Sequence, residues 1–166
     1  KGEIQMAAGT HNKDMGYLMV DLKFPTPIYL AQSMPKMRLH KAFSRSNTLM
    51  IMIKIKDALG GRITWGGGVR KSINDGDKAK LKDGYNNAKK ILENAGAKGV
   101  FSGWTVAAHP GGTVKINDML DSDLKTQREN LYVCDCSVIP EAWGLPPTLT
   151  LLGLGKRLAR HLSETI

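Results

Sequence analysis

Cysteine is scarce in this chain, two in 166 residues, and acidic residues fall short of basic ones, 15 against 24. Two thiols build no disulfide framework, so the fold must rest on its core. They stand two apart, Cys134 and Cys136 in VCDCS, where extended backbone places both on one face. With four scattered histidines, His11, His40, His109 and His161, they offer no zinc-ligand spacing. The pair therefore reads as buried structural thiols, and the expected compartment is reducing and cytoplasmic. No apolar run approaches the length of a membrane-spanning helix. Nothing at the start resembles a secretory signal, and a first residue Lys1 reads as a segment of a longer protein. The acid deficit gives a net charge of +9, which raises nucleic acid as a partner. Yet Lys78, Lys80, Lys82, Lys89 and Lys90 alternate with Asp77, Asp83 and Glu93 along one helical stretch, without aromatic residues for base stacking. A solvated helix face is expected there, and nucleic-acid binding is disfavoured.

What remains is an ordinary globular composition, 42% hydrophobic and 23% charged, enough for one domain with a core or one and a half small ones. Gly16–Leu22 reads as a strand that Pro25 and Pro27 end. Ile51, Ile53 and Ile55 alternate with Met50, Met52, Lys54 and Lys56, a half-buried strand. Turn residues at 57–61 would return the chain as a partner strand, Arg62–Trp65. Gly66–Gly68 has no phosphate-loop lysine or helix start after it and reads as a bulge or close backbone approach. Leu81, Tyr85, Ala88 and Leu92 form a helical stripe, widened by Ile91 and Ala95, with Asp75 or Asp77 as cap and Gly96 as stop. Val100–Ala108 reads as a strand carrying Trp104 and delivering His109 to its end. Met50, Met52, Trp65 and Trp104 suit either core packing or an apolar pocket.

The last third changes character. Leu131–Cys134 is a short strand ending at Asp135, where open α/β sheets place ligand contacts. Ser137–Pro146 is a loop, and Pro147 opens a helix, where its missing N–H costs nothing. Leu151, Leu152, Leu158 and Leu162 form the apolar side of that helix. Gly153 and Gly155 each weaken it by about 1 kcal/mol relative to Ala, which suggests close packing against a sheet or a cofactor.

Three motifs stand in order here: His109-Pro110-Gly111-Gly112-Thr113, then Asp135-Cys136-Ser137-Val138-Ile139-Pro140, then Gly144-Leu145-Pro146-Pro147. Together they resemble the carboxy-terminal signature of the glucose-methanol-choline (GMC) flavin oxidoreductases, most nearly the cholesterol-oxidase-like branch. The resemblance implies an α+β chain with an antiparallel substrate-binding sheet and a covering helix. To this it adds the carboxy-terminal strand and helix of a Rossmann-like FAD domain that is otherwise absent. Residues 1–107 would be the substrate-binding domain, and residues 108–166 the segment that carries the active-site histidine and completes the FAD domain. No G-x-G-x-x-G turn is present to seat the dinucleotide pyrophosphate. An amino-terminal FAD-binding segment is therefore expected as partner, with FAD bound weakly by this chain alone.

By the same resemblance the reaction is hydride transfer from an alcohol to flavin, with His109 as the base. An imidazole with an ordinary pKa near 6.5 suits that task. Asp135, Cys136, Pro147 and Thr148 would approach the isoalloxazine and ribityl chain, and the start of the last helix would favour negative charge on the flavin. One departure stands out: Pro146 occupies the position of the family's second active-site Asn or His, and His161 lies too far along the helix to replace it. A non-catalytic flavoprotein relative or ligand-binding subunit is the alternative reading.

Overall fold

The computed structural model describes residues 8–33 and 47–165, so His40 lies outside the described residues. The chain is α+β and, among the described residues, has a three-stranded antiparallel sheet, a separate two-stranded hairpin and three α-helices. It divides into two compact units, Lys1–Ile55 with Asn74–Val106, and Lys56–Ile73 with Ala107–Ile166.

In the first unit β1 (Gly9–Asn12), β2 (Tyr17–Leu22) and β3 (Met50–Ile55) lie in that order, each pair antiparallel. The register sets Tyr17 opposite Ile55, Met19 opposite Ile53 and Asp21 opposite Ile51. Tyr17 and Met19 are buried, and Ile51, Ile53 and Ile55 pack against them, as the alternation of the strand requires. Helix α2 (Asp75–Asn94) covers this face through Gly84 and Ala88. The stripe read from sequence therefore holds, but its centre is Gly84 and Ala88, and Ile91 is half exposed.

Helix α2 is capped by Asn74 rather than by Asp75 or Asp77: its side chain accepts the Asp77 N–H at 2.8 Å. At the other end the Ala97 N–H reaches the Leu92 carbonyl and the Gly96 N–H the Glu93 carbonyl, both at 2.9 Å. With Gly96 at φ 83° this is a Schellman stop, the role expected of that glycine. Three lysines of α2 pair with its own acids, Lys78 with Asp75, Lys80 with Asp77 and Lys89 with Glu93.

Several expectations fail. The strand does end before Pro25 as expected, but an unexpected helix lies beyond it: Thr26–Ser33 forms helix α1, with Pro27 in its first turn and the Pro25 carbonyl accepting from Ile28 and Tyr29. Val100–Ala108 is irregular and not a strand; its Trp104 N–H is taken instead by the Gln32 side chain, at 2.6 Å. Trp104 is half exposed and Trp65 wholly so, which removes both from any core.

In the second unit, β4 (Arg62–Ile63) pairs with β5 (Val69–Arg70) and not with β3. Gly66–Gly68 is the turn between them, not a bulge. Gly67 takes φ 77°, and a β-carbon at Gly66 or Gly67 would meet nothing. Leu131–Cys134 shrinks to a single bridge between Tyr132 and Lys125. The core consists of Leu120, Leu124 and Val138, with Val114, Ile116, Val133, Cys134, Leu154 and Leu158 packed around it. Helix α3 (Thr148–Thr165) thus docks through Leu154 and Leu158, one turn apart. Leu152 is not on that side but exposed, as is Leu149. Gly153 and Gly155 face open space among the described residues, so neither packs closely here.

Candidate functional site

The second unit carries every residue singled out for chemistry. His109 adopts a left-handed backbone, φ 58°, and is exposed at the head of its turn. Such a conformation is uncommon outside glycine and is more frequent in Asn, Asp and His. From there the chain runs beside the segment that follows Asp135. A β-carbon on Gly111 would stand 3.1 Å from the Cys136 carbonyl oxygen. The Val114 N–H donates to the Ser137 carbonyl and the Ile116 N–H to the Val138 carbonyl, both at 3.1 Å. Gly112 takes φ 77°, which turns the chain between these contacts.

Asp135 organises the opposing segment. Its Oδ1 accepts the Ser137 N–H at 2.7 Å, and Cys136–Val138 then closes as one turn of 3₁₀ helix. Val138, wholly buried beside Leu120 and Leu124, anchors that turn to the core. Hydrogen bonds from Ser137, first the hydroxyl and then the backbone N–H, hold the Asp135 carboxyl below the usual carboxylate range. The carboxylate is otherwise exposed, so an acceptor oxygen is presented to the surface.

Cys134 and Cys136 are free thiols and half-buried, where full burial was expected. Packing against the core pushes the Cys134 thiol up, and the charge of Asp135 adds to the shift. Among the described residues no group of three His, Cys, Asp or Glu side chains is placed to hold a metal ion.

The third motif stands at the start of α3. The Leu145 N–H donates to the Trp143 carbonyl across Gly144, whose φ is 28°. A β-carbon on Gly144 would lie 2.7 Å from the Lys56 β-carbon, so only glycine passes there. Pro147 is buried, and its carbonyl accepts the Leu151 N–H at 2.9 Å as the first bond of the helix. Pro146 and Thr148 are exposed on either side of it. No acidic residue lies in the first turn, so the positive end of the helix dipole is not offset from within.

The structure thus brings the His109 turn and the Asp135–Cys136 turn together by backbone hydrogen bonds, and ties α3 to the same core. Sequence reasoning missed the Asx turn of Asp135 and the passage of Gly144 over Lys56. The first was legible, since Asp-x-Ser before a turn favours that bond. The second joins residues far apart in the chain and leaves no local signal.

Comparison with known proteins places residues 68–155, more than half of the chain, on the model of the GMC oxidoreductase carboxy-terminal domain. A curated relative, an uncharacterized protein of Methanocaldococcus jannaschii, is 33% identical over 123 residues, 74% of this chain. The chain spans only 32% of that relative's length. No solved structure matches it significantly.

Proposed function

The chain belongs to the GMC oxidoreductase family, and from that premise we propose that it is the carboxy-terminal part of an FAD-dependent alcohol oxidoreductase. Residues 1–107 would be substrate-binding material, and residues 108–166 would carry the base and complete a Rossmann-like FAD domain supplied by another segment. One observation carries the reading: the His109 turn and the Asp135 turn are zipped side by side, inside the segment that matches the family. A cholesterol-oxidase-like member fits the His-Pro-Gly-Gly order.

The residues present suit one end of FAD. The exposed Asp135 carboxylate can accept from a ribityl hydroxyl, Cys136 follows it, and Pro147 and Thr148 stand where α3 offers N–H donors without a competing acid. The pyrophosphate end has no G-x-G-x-x-G turn in this chain to seat it, so another segment would hold it. When bound, FAD supplies the two-electron acceptor for a hydride.

His109 then acts on the alcohol. An imidazole nitrogen accepts the hydroxyl proton while the carbinol hydrogen leaves with its electron pair, so the C–O bond becomes a carbonyl. The left-handed backbone of His109 places it at the head of the turn, ahead of the strand-like run that follows. Pro146 contributes only its carbonyl, since it has neither an N–H nor a polar side chain. The absence of that second donor favours slow turnover, and it is the observation behind a second reading, a flavin-binding relative without alcohol chemistry.

An anaerobic visible spectrum of the full-length product separates the two. Flavin absorbance that bleaches with one member of a panel of alcohols, and far more slowly in His109→Asn with flavin still bound, supports the enzyme. Bound flavin that never bleaches while an alcohol binds supports the second reading, and no flavin at all overturns both.

A further inference from the structure

We infer that the β4–β5 hairpin is a docking surface for an anionic phospholipid bilayer, with the Trp65 indole at headgroup level and Arg62 and Arg70 on lipid phosphates. The base of the hairpin is pinned. Lys71 pairs with Asp57 and donates to the Ala58 carbonyl at 3.1 Å. Gly61 passes so close to the Arg70 carbonyl that a β-carbon would stand 2.6 Å from it. The tip is closed as well, with the Thr64 N–H donating to the Gly68 carbonyl at 2.7 Å and the Gly67 N–H to the Thr64 carbonyl at 2.9 Å.

What this ribbon presents is unsatisfied. Trp65 is fully exposed at the tip, and the cross-strand pair Ile63 and Val69 is 59% and 70% exposed. The next pair sets Arg62 directly opposite Arg70, like charges that repel across a ladder, and among the described residues no carboxylate pairs with either. Two residues per strand with no packed face is a weak element in water.

An indole at the end, an apolar pair behind it and two guanidiniums at the base match the layering of a bilayer surface. Entering tip first, the Trp65 indole settles in the interfacial layer just inside the phosphates, Ile63 and Val69 follow it into that layer, and Arg62 and Arg70 at the base meet the phosphates through their planar forks. The net charge of +9 draws the whole chain to the same surface. Single-stranded nucleic acid would need the aromatic ring set among cations along a groove, whereas here an apolar pair separates them. The first strand and the turn, residues 62–67, precede residue 68, where the match to the family begins.

The test is flotation of the full-length product with vesicles of phosphatidylcholine alone or mixed with phosphatidylglycerol. Binding to the mixed vesicles only, weakened by salt, is expected. The double change Arg62→Gln with Arg70→Gln should lower it about thirty-fold and Trp65→Ser about five-fold, neither lowering the melting temperature. Equal binding to both vesicles, no binding to either, or variants that bind like the parent would overturn the proposal. So would retention on single-stranded RNA, lost in the same variants, with no flotation. In Trp65→Cys of the full-length product, a maleimide must label faster than in the parent; failure would show that another part of the protein covers the face.

Discussion

Gly84 passes Ile53 so closely that a β-carbon there would sit 2.7 Å from the Ile53 Cγ2, with the Tyr17 ring at 3.5 Å. A glycine inside a helix ordinarily costs about 1 kcal/mol, so its presence in α2 has to be explained by packing. The methyl it would meet belongs to a β-branched side chain with little freedom to turn away. Gly84→Ala is expected to lower stability by about 1–3 kcal/mol, the cost of overpacking exceeding the gain in helix propensity. Urea denaturation of the parent and the variant checks it, and an equal or higher midpoint would refute the packing argument.

Gly153 gives the opposite case within α3, since a β-carbon there would meet nothing. Gly153→Ala should stabilise this chain by about 0.5–1 kcal/mol. If α3 completes an FAD domain, the same change in the full-length product should lose that gain, because the exposed side that carries Leu149 and Leu152 would then be covered. Melting temperatures of both forms, with and without the change, separate the two situations.

The Tyr17 hydroxyl donates to Asp83 Oδ2 at 2.9 Å and accepts from the Asn87 side chain at 2.6 Å, while Asn87 also reaches Asp83 at 3.1 Å. The ring is 1% exposed, so the hydroxyl has exchanged water for this triad. Tyr17→Phe keeps the ring packing and removes the link between β2 and α2. A loss of about 1.5–3 kcal/mol is expected, as for a hydrogen bond to a charged group, and thermal denaturation reads it.

How much of this could be read from the residues follows from how local each signal is. The alternation of Ile51, Ile53 and Ile55 and the stripe ending at Gly96 are local patterns, and both elements form where those patterns lie. The Val100–Ala108 stretch is apolar enough for a strand but has no partner strand beside it among the described residues, so its backbone bonds a side chain, Gln32, instead. Arg62–Trp65 has turn residues on both sides, and the nearer glycines, Gly66–Gly68, decide its partner. At the candidate site the three motifs were legible as residue types in order. The bonds that join the His109 turn to the Asp135 turn link residues more than twenty positions apart, which no local pattern encodes.

Cys134 should resist alkylation. Its thiol pKa is raised, by burial first and by Asp135 second, so the reactive thiolate forms at higher pH than in an unfolded chain. The sign for stability follows: the contribution is present below the ordinary thiol value and is lost as pH rises through the raised one. In Cys136→Ser, iodoacetamide labelling of Cys134 read by mass spectrometry should reach half its maximal rate above about pH 8.5, the value of a free thiol. A midpoint at or below that value would contradict the packing of Cys134 against the core.

Asp135 runs the other way. Its carboxyl is held below the usual range by Ser137, so the stability it contributes is present above about pH 4 and is lost as pH falls through the depressed value. The group is exposed, and solvent keeps that contribution modest. Asp135→Asn preserves the acceptor for the Ser137 N–H and should cost little stability, whereas Asp135→Ala removes it and should cost about 1 kcal/mol, as for a lost helix cap. Denaturation of the three proteins at pH 7 and pH 3 separates fold from function. The difference between parent and Asp135→Ala should shrink at pH 3. If Asp135 also accepts from the ribityl chain, flavin retention in the full-length product should fall in Ala and hold better in Asn. A parent and Asp135→Ala equally stable at pH 7 would mean that the Ser137 bond does not hold the turn.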